Sequence, residues 1–469
     1  MKTKSIIFKS AFMLACVLTV ASCKPKEVEP TPAGPKATTL TADIPAGSTR
    51  SLSADTVYTL GAQVQVSGTI NIAAGTIIKG DKASKAALII LPGGKINAVG
   101  TAAKPIVFTS AMAPGLRNAG DWGGIIIVGK APVNQTTASV EGLTRPVNFG
   151  LDQIAATERK ADDNSGTLQY VRIEFAGIPM QPDKETNGLT MCAVGSGTTI
   201  DHVQVSYCGD DSFEWFGGNV NCKYLIAYLG LDDEFDTDYG YSGNVQFALG
   251  LRNPRIADVS TSNGFESDND GGGTAATPKT SAVFSNVTLI GPWKNSKDNN
   301  VNKQYGAGMH IRRNSSISVF NSVFAGWNIG YVLDGSSTLT NAKSGSLAME
   351  NCYLVASKMG SVSATNTGNG AFTTSAVVDS IFKISNKYYA TNDTLKIAGC
   401  FYDATKEGVA ANPTSNLPGA GSALLTGAKY TNTKLGTFFD KTPTHIGAFG
   451  TTDWAKETWT NWDPQNTVY

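Results

Sequence analysis

Residues 207–220 read YCGDDSFEWFGGNV, and residues 229–245 read LGLDDEFDTDYGYSGNV. The two stretches align at a shift of 22. Asp210 then falls on Asp232, Asp211 on Asp233, Phe213 on Phe235, Glu214 on Asp236 and Gly218 on Gly240. Upstream, Val203 falls on Leu225 and Val205 on Ala227. A fixed period of about 20–50 residues is the mark of a solenoid or a propeller. A period of 22 suits one coil of a parallel β-helix, with three short strands and three turns, whereas a four-stranded propeller blade needs about 40–45 residues.

Outward from this repeat, short apolar runs follow one another. Val57–Leu60, Val64–Val66, Ile70–Ile72, Ile77–Ile78, Leu88–Leu91 and Ile106–Phe108 are separated by short turns, most of them containing glycine. Downstream, SAVFSNVTLI (281–290), SISVFNSVF (316–324) and LAMENCYL (347–354) fit further coils. An asparagine recurs in SNV, FNS and ENC, where coils stack polar side chains in a turn. No segment holds a sustained helical period of apolar residues. The expected fold is all-β: a right-handed parallel β-helix, a single solenoid over 51–355, with a loop-rich β-helix end and C-terminal cap over 356–469. A β-sandwich array is the structural rival.

The N-terminus carries a different message. Lys2, Lys4 and Lys9 precede a mostly apolar run, Ala11–Val20, and small residues lead to Cys23. A charged start, a short apolar run and small residues at the cut make a secretory signal. The run is shorter than the roughly 20 apolar residues a bilayer span needs. Val20-Ala21-Ser22-Cys23 resembles the lipobox of bacterial lipoproteins. That resemblance implies a signal peptide over 1–22 and lipid on Cys23, and two or more acyl chains anchor a protein stably. Residues 23–50, opening KPKEVEPTPAGPK, read as a Pro-rich linker.

Composition narrows the function. The chain has 38 basic and 38 acidic residues, and charged residues make up only 16%. Nothing offers the long basic surface that nucleic acid requires. Cys192, Cys208, Cys222, Cys352 and Cys400 follow Cys23 with no zinc-type spacing; five is odd, so they cannot all pair, and the alternatives are a Cys208–Cys222 bridge in an oxidising compartment or buried free thiols. His202, His310 and His445 are scattered, and Gly124–Lys130, although it has P-loop spacing, reads as a strand.

Several stretches carry a wider resemblance: VYTLGAQVQVSGTINIAAGTIIKG (57–80), DWGGIIIVGKAPVN (121–134), DNSGTLQYVRIEFAG (163–177), ETNGLTM (185–191), GDDSFEWFGGNVN (209–221) and the ending IGAFGTTDWAKETWTNWDPQNTVY (446–469). In combination they resemble a family of uncharacterised Bacteroidota cell-surface lipoproteins with a pectate-lyase- or polygalacturonase-like β-helix. The resemblance implies an outer-membrane lipoprotein, at the cell surface rather than the periplasmic face, and a partnership with outer-membrane uptake transporters. It hands over no catalytic residues.

The acidic ladder is the strongest chemical signal. Stacked at the roughly 4.8 Å strand spacing, Asp210 meets Asp232 and Asp211 meets Asp233. Like charges so close raise one another's pKa unless a cation neutralises them. Calcium takes six to eight oxygens and suits such a site. Asp210, Asp211, Asp232, Asp233 and Asp236 are therefore the expected metal ligands. The bland alternative is that these acids bond turn amides. Glu214, Trp215, Glu266, Asp268 and Asp270 are the expected ligand-binding residues, since aromatic faces flanked by carboxylates suit sugar rings. Expected functions are non-catalytic binding of glycan or a partner protein, a β-helical polysaccharide hydrolase or lyase, or an accessory subunit of a transporter. A lyase would want an arginine or lysine base near calcium; Arg252, Arg255 and Arg312 qualify by type, and His310 lies near. Trp454, Trp459 and Trp462 are expected to cap the end of the β-helix, where an exposed edge needs cover.

Overall fold

The computed structural model describes residues 36–181, 184–295, 297, 299–357, 363–366, 372–403 and 415–469. The export signal, Cys23 and the first part of the linker lie outside the described residues. The body Lys36–Tyr469 forms one compact unit.

Its strands stack into a 17-stranded and an 11-stranded sheet, and the pairing along both is parallel apart from Ser363–Asn366 with Phe372–Thr374. The 22-residue period appears directly in the register. Thr199–Ser206 pairs with Asn221–Tyr228 as Val203↔Leu225, and Phe213–Gly218 pairs with Phe235–Asp238 as Glu214↔Asp236. This is the parallel β-helix that the repeat implies.

The larger sheet is two faces joined at a bend. Lys95–Val99 pairs with the first half of Gly166–Glu174, and Ile106–Ser110 pairs with its second half. From there on, each long strand bends at one residue with positive φ: Tyr170, His202, Tyr224, Phe247 and Asn286, a corner continued by Asn321 and Asn351 between shorter strands. Left-handed backbone is uncommon outside glycine, and asparagine tolerates it best. The SNV, FNS and ENC asparagines occupy this corner: Asn351 Nδ2 donates to Asn321 Oδ1 at 2.7 Å. The non-asparagine positions gain by stacking instead, with ring centroids 4.3, 4.3 and 5.0 Å apart along Tyr170–His202–Tyr224–Phe247.

Inside, apolar side chains stack in a column. Leu189, Phe213, Phe235, Phe265 and Met309 lie in register on successive coils and are buried. Fully burying each contributes about 1.5–3 kcal/mol. Cys192, Cys208, Cys222, Cys352 and Cys400 are buried free thiols, so the Cys208–Cys222 bridge is not formed. Among the described residues no helix is long and apolar enough to cross a membrane.

Two expectations are corrected. The linker does not run to residue 50: Lys36–Leu40 already pairs with Thr56–Leu60, and Thr49–Leu52 with Thr69–Ile72. These strands are largely exposed, so their apolar content understates them; β-branched threonines and backbone pairing suffice at an outer coil. Past residue 355 a further coil strand follows: Lys387–Tyr389 pairs with Tyr353–Val355. A short helix, Ala376–Lys383, precedes that strand; the Ser375 hydroxyl caps it and Val378 and Phe382 are its buried residues.

The second correction concerns the C-terminal segment, which is a strap along the coils and not a cap over their end. Asn351 Nδ2 donates to Gly427 O, Asn321 to Lys429 O, and Asn286 to His445 O. Further back, Trp454 packs edge-on to Tyr224, Trp459 to Tyr170 and His202, and Gln204 exchanges hydrogen bonds with Asn461. The Tyr469 hydroxyl reaches the buried Glu174 carboxylate at 2.6 Å, beneath the Arg117 and Arg172 guanidinium groups. The corner column's outward polar and aromatic groups give the strap its partners, so the tryptophans follow the corner and not the helix end.

A candidate cation and ligand site in an acidic cleft

The smaller sheet presents a column of outward side chains. Thr190, Glu214, Asp236, Glu266 and His310 lie in register on successive coils. Parity decides which residues these are. Phe213 and Trp215 point inward, so Glu214 and Phe216 point out. A second acidic row comes from the turn before each strand, where Asp210-Asp211 of one coil lies against Asp232-Asp233 of the next.

These rows floor a cleft of about 770 Å³. Its walls are loops inserted between coils, which bring Glu141, Glu185 and Asp258 to the rim. Among the described residues that line it, acids far outnumber the two arginines, Arg312 and Arg313. Three sets of carboxylates bring their oxygens within 4.8 Å of one another: Asp210 with Asp211 and Asp232; Asp211 with Glu214 and Asp236; and Asp233 with Asp236 and Glu266.

Part of the acidic turn does structural work. Asp211 Oδ1 accepts the Asp233 amide at 2.8 Å, Asp233 Oδ1 accepts the Asn263 amide, and Asn263 Oδ1 accepts the Ala307 amide at 2.9 Å. Each side chain thus holds the turn of the next coil. Beneath them, Arg252 is fully buried; it pairs with Glu234 at 2.9 Å and donates to the carbonyls of Leu231 and Asp232. That fixes the turn bearing Asp232 and Asp233, and it removes Arg252 from the bases that could act in the cleft.

Other groups stay unsatisfied. Asp232 Oδ2 accepts the Ser260 hydroxyl at 2.8 Å, but its Oδ1 and the Oδ1 of Asp236 are buried without a hydrogen-bond partner. Asn187 is 4% exposed, lines the cleft and donates to Glu214, yet its Oδ1 is unpartnered. Buried polar atoms without partners are rare in folded proteins and call for an explanation.

Burial drives the electrostatics. It raises the carboxyls of Asp210, Asp211, Glu214, Asp233 and Asp236 well above the ordinary range, and neighbouring carboxylates add to the effect. Burial pushes Asp232 up to about 6 and Asp238 to about 7. Glu266 reaches about 8 from the same cause, although Arg312 pulls the other way. A site that raises so many carboxyls favours either protons or a metal cation.

The expected ligand-binding residues separate into two groups. Glu214, Glu266 and Asp268 line the cleft. Arg312 bridges Glu266 and Asp268, and Arg313 holds Asp268 at 2.6 Å. Trp215, by contrast, is wholly buried and stacks on Phe213 and Tyr241 in the core, so it presents no face to a ligand. Asp270 serves its own loop, accepting the amides of Gly272 and Thr274 and the Thr274 hydroxyl. His310 is buried against Asp334 at 3.1 Å and does not line the cleft.

Sequence reading missed Asn187 and the rim acids. Asn187 stands one coil before Asp211, at an offset of 24 that the strand register reveals. The rim acids come from insertions, which obey no period.

A family model described as a pectate-lyase-like beta helix domain matches residues 46–404. No curated protein and no solved structure matches the chain.

Proposed function

We propose, from the premise that the chain belongs to the pectate-lyase-like β-helix family, that it is a lipid-anchored envelope protein. On this reading it binds glycan or a partner protein through calcium held in the acidic cleft. One observation carries the proposal: Glu214, Asp236 and Glu266 stack on successive coils, and their oxygens join those of Asp211 and Asp233 in sets within 4.8 Å. Carboxylates this close keep protons at neutral pH unless a cation sits among them and holds them ionised. Calcium accepts a flexible shell of carboxylate and amide oxygens, whereas magnesium demands an octahedral one. A glycan array run with calcium and with chelator tests the binding. Retention only with calcium supports the reading; equal retention in both sinks the role of the cation.

The anchor rests on Val20-Ala21-Ser22-Cys23. Metabolic labelling with a fatty acid should mark the wild type and not Cys23→Ala. Protease treatment of whole cells then separates cell-surface from periplasmic placement.

A second reading is a polysaccharide lyase or hydrolase. It is favoured by Arg312, which lines the same cleft as the carboxylates and would act as a lyase base once released from Glu266 and Asp268. Hydrolysis would instead use two carboxyls of different protonation. Unsaturated products or new reducing ends from an acidic polysaccharide would establish it.

A further inference from the structure

We infer that the corner of the larger sheet carries a separate, cation-independent pocket for a sugar unit without an acidic group. It lies between the corner column and the strap and shares no residue with the acidic cleft, so it stands apart from the cation reading. The cavity there measures about 360 Å³. His202, Tyr224 and Phe247, successive members of the corner column, form one side. His445 and Trp454 of the strap form the other, together with the exposed Glu457.

The strap builds this pocket and holds it open. Asn286 Nδ2 donates to His445 O at 3.1 Å, and Ala448 N donates to Thr288 Oγ1 at 2.8 Å, which fixes the strap on the coils. The Trp454 indole N–H then donates to Ala448 O at 2.9 Å and closes residues 448–454 into a loop. Phe449 stacks on Trp454 with centroids 5.1 Å apart. A pocket of held backbone and packed rings needs little reordering to bind.

One atom lacks a partner that a ligand would supply. His445 Nε2 is buried with no hydrogen bond, and such atoms are rare. The ring is set from its other edge: a Cβ on Gly450 would fall 2.5 Å from His445 Nδ1, so the imidazole sits tight against that glycine. Burial lowers the His445 pKa and leaves the ring neutral at pH 7. A neutral imidazole nitrogen either donates or accepts a hydrogen bond, and a sugar hydroxyl serves as either partner. Thr451 and Thr452 add exposed hydroxyls beside Glu457. Aromatic carbon with a few convergent polar groups, in roughly 300–1,000 Å³, is the make-up of a small-molecule site. A protein partner would cover about 800 Å² of surface, far more than this cavity offers.

Charge selects among sugars. The described residues that line the cavity include no lysine or arginine. Burial raises the pKa of the Tyr224 hydroxyl, and the carboxylates of Asp201, Asp440 and Glu457 raise it further. A uronate would meet these carboxylates with no lining cation to offset them.

Calorimetry and saturation-transfer NMR on the full chain, in chelator throughout, test the inference. The probes are neutral trisaccharides of glucose, galactose and mannose, and a trisaccharide of galacturonate. At least one neutral probe should bind the wild type, and the galacturonate should bind about tenfold more weakly from charge repulsion. His445→Ala should weaken the neutral probe about tenfold, the worth of one hydrogen bond. Glu457→Gln, a surface change, should weaken it too at an unchanged melting temperature. The inference is overturned if no neutral probe binds in chelator, or if wild type and both variants hold the probe equally. Neither result touches the cation reading, whose glycan retention requires calcium.

Discussion

Asp211 accepts the Asp233 amide and also lines the cleft, so substitution can separate its two roles. Asp211→Asn keeps an acceptor oxygen, as Asn263 does naturally in the same column. It should leave stability nearly unchanged and weaken calcium binding at least tenfold. Asp211→Ala should lose both, at about 1–3 kcal/mol for a buried amide left unpaired. Urea denaturation together with calcium titration of the two variants checks this pair; equal calcium affinity in Asp211→Asn and wild type would place the ion elsewhere. At this scale the acids were legible because like residues recur at a fixed step. Trp215 was misread because composition drew attention to an aromatic among acids. Its parity with Phe213 already placed it inside, two residues along the same strand.

The corner column and its strap behave as one element. Asn321 holds Lys429 through both amide and carbonyl, at 2.9 and 2.8 Å, while keeping a left-handed backbone. Asn321→Ala should cost about 1–3 kcal/mol from lost hydrogen bonds, plus about 1 kcal/mol of left-handed strain. Removing residues 454–469 strips two buried tryptophans from Tyr170, His202 and Tyr224. The loss should be at least the roughly 3–5 kcal/mol of one large core truncation, read as a lower melting temperature. A truncated chain that melts like the full one would show that the strap only decorates the coils. The coil period was legible from two adjacent turns, but the strap was not. Its partners lie up to 390 residues away in sequence, as Lys79 and Tyr469 do, and no local pattern announces such a contact. Inserted loops hid the later coils in the same way: Asp236 pairs with Glu266 across 30 residues, not 22.

For the molecule as a whole, the buried carboxyls link stability to pH. Their folded-state values lie above those of an unfolded chain, so the folded form holds protons that the unfolded form has already released. That contribution is complete below about pH 4, the unfolded carboxylate range. It is lost as pH rises through about 6 for Asp232, 7 for Asp238 and 8 for Glu266. In chelator, the melting temperature should fall steadily from pH 5 to pH 8. On the proposed reading calcium replaces the departing protons, and a ligand at 100 times its dissociation constant adds about 2.7 kcal/mol. The most direct measurement is therefore the melting temperature at pH 5 and pH 8, each with calcium and with chelator. The account expects a small calcium effect at pH 5 and a rise of several degrees at pH 8, absent in a variant carrying Asp232→Asn and Asp236→Asn. Melting curves that coincide with and without calcium at pH 8 would contradict it.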